Sequence, residues 1–196
     1  MPSPMPMTAH PMLTALQAQA DAFIALRRDL HRHPELGLSE HRTAQIVAER
    51  LEAWGYTVHR GLATTGVVGQ LTRGSGPRRP GLRADMDALP IQETSGKPWA
   101  SAHDGVMHAC GHDGHTAMLL AAAHHLAHHV DFSGTLNLVF QPAEEYPGGA
   151  KLMIEQGLFE RFKVPPATHG NFFSQYVRSQ SLFEEQVDAV VASDVN

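Results

Sequence analysis

The sequence is poor in several features that whole classes of protein require. It has one cysteine, Cys110, which excludes an internal disulfide framework and fits a reducing, cytoplasmic setting. Basic charge is in deficit: fifteen Lys and Arg against twenty Asp and Glu give a net charge of −5. That argues against a nucleic-acid partner, whose non-specific binding needs a basic surface. No apolar run approaches the roughly 20 residues of a membrane helix. The opening residues 1–12 carry four prolines but no basic or apolar signal region, and read as a disordered lead-in. What remains is a chain of 196 residues, 42% hydrophobic and 18% charged, long enough to bury a core. Histidine is in surplus, with fourteen in all and eight of them between His103 and His129.

Apolar residues from Leu13 through Leu16, Phe23, Ile24 and Leu30 recur at helical spacing, and Pro34 should stop that helix near His33. Ser39 can cap a second helix with Ala44, Val47, Leu51 and Trp54 on one face and Gly55 as its stop. Three short strands are predicted at 56–60, 66–71 and 81–86. The breaker cluster Gly74-Ser75-Gly76-Pro77 separates the last two, and 89–106 reads as a loop. A helix over 116–130 is expected to bury Met118, Leu119, Ala122 and Leu126, placing His124 and His128 outside. A buried strand over 135–141 ends at Pro142, and Gly148 opens a last helix to about Phe159. This order predicts an α/β fold, a three-layer α/β/α sandwich with a mixed sheet.

Two stretches carry the chemistry. In His108-Ala109-Cys110-Gly111-His112-Asp113-Gly114-His115, a thiol and imidazoles stand where a loop enters a helix. A helix N-terminus lowers a thiol pKa, and thiolate with imidazole suits Zn²⁺ and similar ions. The same residues also read as a small buried cysteine beside capping groups. In Gln141-Pro142-Ala143-Glu144-Glu145-Tyr146, two carboxylates follow a buried strand, where ligand and catalytic groups of α/β sheets gather. They can divide labour between ion and proton, or form an ordinary acidic loop. Asp85, in Leu82-Arg83-Ala84-Asp85-Met86-Asp87, can orient a ligand histidine or simply end a strand. The histidines of His31-Arg32-His33-Pro34-Glu35 read as surface or packing residues. The i,i+4 pairs among His124, His125, His128 and His129 read as a solvated helix edge.

The ordered set HRHPELGLSE (31–40), GLRADMDALP (81–90), HACGHDGHTA (108–117), FQPAEE (140–145) and GGAKLMIEQGLFERF (148–162) resembles one family. It is similar to the metal-dependent amidohydrolases that include hippurate hydrolase and the auxin–amino-acid conjugate hydrolases, relatives of aminoacylases and dinuclear-zinc carboxypeptidases. The resemblance implies a catalytic domain with two divalent ions, Zn²⁺ or Mn²⁺ with Co²⁺ and Ni²⁺ also suited, cleaving the amide of a small N-acyl amino acid. It further implies Cys110, His112 and Glu145 as metal ligands, Glu144 as general base, and Asp85 as support to a ligand.

After Phe162 the matched pattern stops. Residues 13–162 are therefore expected to be the N-terminal part of an incomplete catalytic domain, and 163–196 a divergent tail. His169, 24 residues after Glu145, stands near where the family places another ligand, but its neighbours do not match. The lid and dimerisation domain of the homo-oligomeric family have no counterpart, so a truncated product with an uncovered sheet edge and impaired activity is expected. Two alternatives are a non-catalytic histidine-rich metal-binding protein built on 103–129, and an inactive fragment that pairs with a longer relative.

Overall fold

The computed structural model describes residues 11–163. The residues before 11, and the tail with His169, lie outside the described residues. Pro11 and Met12, assigned to the lead-in above, open helix α1 (Pro11–Gln17), where a proline at the first helical position loses no hydrogen bond. The long first helix expected from the spacing is two: α2 (Ala20–Arg32) follows after a break at Ala18 and Gln19. Neither residue is a helix breaker, so the pattern held no sign of it. α3 (His41–Ala53) begins after Glu40, and Ser39 does not cap it. The Glu35 carboxylate does that work from the preceding loop, accepting from the N–H groups of Arg42 at 2.9 Å and Thr43 at 2.8 Å.

The strands are β1 (Thr57–Leu62), β2 (Gly66–Arg73), β3 (Gly81–Asp85) and β4 (Gly134–Gln141). They form one sheet in the order β1-β2-β4-β3. β1–β2 and β2–β4 are antiparallel and β3–β4 is parallel, so the sheet is mixed. The parallel pair requires a crossover, supplied by α4 (His112–His129). Every residue of β4 is buried, as a strand covered on both faces should be.

Two apolar clusters lie on opposite faces of this sheet. On one face Leu26, Leu30, Val47, Leu51 and Leu120 pack against Val67, Leu138 and Phe140. On the other, Met153 of α5 (Gly149–Glu155) and Leu158, Phe159 and Phe162 of α6 (Leu158–Phe162) cover Leu62, Val68 and Val139. The architecture is thus the three-layer α/β/α sandwich expected. The single last helix divides because Gly157 takes a left-handed conformation, φ 85°, which ends α5.

The α4 helix starts one turn earlier than expected, and its buried stripe is rotated. Thr116, Ala117, Leu119, Leu120 and Ala123 are inside, while Met118 is 57% exposed. Small residues let the helix approach the sheet closely, and the Thr116 hydroxyl donates to the carbonyl of Asp85 at 2.8 Å. Tyr56 Oη donates to the Ala123 carbonyl at 2.9 Å and fixes the middle of the same helix. Among the described residues β3 pairs only with β4, and Leu82 on it is 39% exposed.

Candidate active site

Three chain segments meet at the ends of the parallel strands β3 and β4. Asp85 ends β3 and Asp87 follows it. Gly111, left-handed at φ 85°, turns the chain so that Cys110 precedes α4 and His112 begins it. Past β4, Ala143 has φ 47°, which turns the backbone into Glu144 and Glu145. Its N–H is held by Glu40 Oε1 at 2.8 Å, and Thr65 Oγ1 donates to the other oxygen of Glu40 at 2.5 Å. Glu40 is fully buried, and that burial pushes its carboxyl above the ordinary carboxylate range. Gly149 completes the turn, its N–H donating to the Ala143 carbonyl at 2.7 Å. A Cβ there would fall 1.9 Å from the Pro142 carbonyl oxygen, so only glycine fits.

The segments converge on a set of polar side chains. Cys110 Sγ donates to Glu145 Oε1 at 2.7 Å. His112 Nδ1 donates to the backbone carbonyl and to Oδ1 of Asp87, both at 3.0 Å, which leaves Nε2 as its free nitrogen. Asp87 Oδ2 accepts from the N–H of Glu145 at 3.1 Å. His112 Nε2 lies 4.0 Å from Glu144 Oε2 and 3.8 Å from Asp85 Oδ2. The residue that orients His112 is therefore Asp87. Asp85 is bound instead to His115 Nδ1 at 2.7 Å and Arg83 Nη1 at 3.0 Å. Asp87 follows Asp85 by two residues, a spacing that keeps both carboxylates on one side of an extended chain; that was the available signal for it.

Behind this layer, Asp113 is buried and accepts from His31 Nδ1 and Arg27 Nε, each at 2.8 Å. His31 also meets Glu93 at 3.3 Å. Of the two readings made from sequence, surface or packing, it is the buried one, and it ties α2 to the first turn of α4. His108 is buried nearby with neither ring nitrogen paired, and burial pushes its pKa down to about 4.

Electrostatics here follow from crowded carboxylates. Burial and the Glu145 carboxylate, with further charge from Glu144 and Asp87, push the Cys110 thiol up to about 12, although the residue as a whole is exposed. This reverses the lowering expected from the helix N-terminus: Cys110 stands outside the cap, and burial together with the surrounding carboxylates raises the thiol. Burial pulls His112 down, but the Asp87 hydrogen bond and the charges of Asp85, Asp87 and Glu144 push it up to about 9. Burial likewise works to raise Asp85, yet Arg83, His115 and His112 hold it well below the usual carboxylate range. Glu144 is raised by burial, with Asp85 and Glu145 adding to the effect against Arg83 and His112.

One donor atom each from Cys110, His112 and Glu145 lies within 4.8 Å of the others. Sulfur, imidazole and carboxylate suit a borderline divalent ion, and the surplus of carboxylates favours a cation, so the residues present fit a metal. Asp85, His112 and His115 form a second such group. It shares the one free nitrogen of His112, and Arg83 and His115 already neutralise Asp85, so the first group is the better cation site. Of the residues singled out from sequence, Cys110, His112, Glu144, Glu145 and Asp85 come together, and His169 lies outside the described residues. Among the described residues no helix is long and apolar enough to cross a membrane.

Comparison with known proteins identifies the family of the scaffold. The chain is 52% identical over 156 residues to hippurate hydrolase of Campylobacter jejuni, covering 80% of this chain and 40% of that one. It is 46% identical over 148 residues to the N-acyl-L-amino acid amidohydrolase of Geobacillus stearothermophilus, covering 74% and 40%. It thus spans about two fifths of the length of these relatives. Its fold matches the crystal structure of the YXEP protein of Bacillus subtilis, described as a dinuclear metal-binding peptidase from the M20 family. The TM-score is 0.68 at 41% identity, covering 73% of this chain and 41% of that one. The model of peptidase family M20/M25/M40 matches residues 81–195, running past Phe162 into the tail. The site at the ends of β3 and β4 therefore sits on a family scaffold: this chain belongs to peptidase family M20/M25/M40.

Proposed function

We propose that residues 13–162 carry the ion- and base-bearing part of an amidohydrolase acting on N-acyl amino acids. The observation that supports it best is the convergence of Cys110, His112 and Glu145, with Glu144 alongside. In this reading Cys110 Sγ, His112 Nε2 and a Glu145 oxygen hold a divalent ion, Zn²⁺ or Mn²⁺, with Co²⁺ and Ni²⁺ also accepted by this donor set. Bound there, the ion polarises the acyl carbonyl and lowers the pKa of water. A second ion, as in the dinuclear relative, needs further ligands, for which His169 is a candidate. Glu144 takes a proton from the attacking water and returns it to the leaving amine; its raised pKa brings it nearer the range in which a carboxylate both accepts and gives a proton. Asp87 fixes the tautomer of His112, and Glu40 fixes the turn that presents Glu144.

The test measures metal per chain and hydrolysis of N-benzoylglycine. Glu144→Gln is expected to keep the ion and to lower turnover by at least about a hundredfold. Cys110→Ala is expected to lose the ion. A Cys110→Ala protein with full metal content would overturn the ligand assignment, and an active Glu144→Gln protein would overturn the base. The metal measurement reads the ligand set even where turnover is too slow to follow.

A further inference from the structure

The far end of α4 carries four histidines that the proposed catalytic site does not use. His124 and His128 lie one helical turn apart, with ring centroids 4.3 Å apart and planes inclined at 28°. His125 and His129 repeat the arrangement at 5.2 Å, and His129 stands 6.3 Å from His128. His128 and His129 are exposed. His128 Nδ1 approaches the carbonyl of His124 at 2.8 Å. A carbonyl only accepts, so the proton is on Nδ1, and Nε2 is left with its lone pair free. A backbone carbonyl holding one imidazole nitrogen while the other faces outward is the usual support of a metal-ligating histidine. The His124 ring is backed by Trp54 at 5.0 Å and Phe23 at 6.3 Å, which holds it beside the His128 ring. Arg73 donates to the carbonyls of Ala127 and Val130, which pins the end of the helix and keeps the one-turn spacing.

We propose that His124 and His128 form a peripheral site for a borderline divalent ion such as Ni²⁺, Cu²⁺ or Zn²⁺, with His129 the nearest further imidazole. Two imidazoles on one helical turn present their nitrogens to the same ion, and water completes the coordination. The site is distinct from the cluster around His112, about 18 Å away along the helix axis at 1.5 Å per residue. It is independent of the hydrolase reading and holds whether or not that reading does.

Trp54 supplies a local reporter, because it touches His124 and is one of only two tryptophans. Nickel chloride is titrated into chelator-treated Trp99→Phe protein, in which Trp54 is the sole indole. Saturable quenching is expected, unchanged by Cys110→Ala and shifted at least about tenfold to higher nickel by His128→Gln or by His124→Gln. Thermal unfolding without metal confirms that each variant is folded, and nickel should raise the midpoint of the parent more than that of either histidine variant. Quenching that does not saturate, that survives both histidine substitutions, or that disappears in Cys110→Ala would overturn the proposal.

Discussion

At the scale of single residues, the proposed active site is a problem in charge placement. His112 is held by Asp87 on one nitrogen, and burial of its ring is outweighed by surrounding carboxylates, so its pKa stands at about 9. An unfolded histidine titrates near 6.5. A folded pKa above the unfolded one means that stability is fully present below about 6.5 and is lost as pH rises through about 9. In chelator-treated protein, denaturant unfolding should therefore show stability falling by on the order of 3 kcal/mol across that window. Asp87→Ala removes the side-chain hydrogen bond and its carboxylate charge, and should flatten the profile. An unchanged slope in that variant would mean that Asp87 does not set the charge of His112. The pairing was only partly legible in the sequence: Asp85 stood out as a strand-end carboxylate and Asp87, two residues on, did not, because which one faces His112 depends on how β3 meets α4.

At the scale of elements, the first turn of α4 and the turn after β4 carry the geometry. Asp113 is buried with Arg27 and His31 as partners. Asp113→Ala leaves two donors without an acceptor and should destabilise the protein by about 2–4 kcal/mol, read as a lower midpoint in urea. A variant as stable as the parent would show that this network does not hold α4 in position. Gly149→Ala places a methyl against the Pro142 carbonyl and should cost about 1–3 kcal/mol through a shifted turn. Retained stability there would mean that the turn has room to move. Element positions were readable from spacing, since β2, β3 and β4 begin within a residue of the expected places. The break at Ala18–Gln19, the rotated stripe of α4 and the cap supplied by Glu35 were not. The stripe of α4 is set by the sheet it packs on and the Glu35 cap by the shape of the loop before α3, and hydrophobic periodicity records neither.

At the scale of the whole molecule, β3 is the edge to watch. Among the described residues it pairs on one side only, with β4, and Leu82 on it is exposed; an edge strand of that kind is a template for association. Leu82→Lys should slow the growth of light scattering on warming and leave secondary structure unchanged. Identical scattering in parent and variant would show that association proceeds through another surface. The family was legible because its motifs fall in loops and strand ends, where chemistry fixes residue identity more tightly than packing does. The braces behind them, Glu40, His31 and Asp113, looked like ordinary polar residues until the layers came together.

Pairing of β3 with β4 in parallel has a consequence for synthesis. Thiol, imidazole and carboxylate are encoded in order, but the carboxylate comes last of the three, beyond the crossover helix and β4. A nascent polypeptide still holding residue 145 inside the ribosomal tunnel has the sulfur and nitrogen donors without their third companion. On the proposed ligand assignment, ion capture at that cluster is thus a late event, reserved for a chain in which β4 has already been delivered to the sheet.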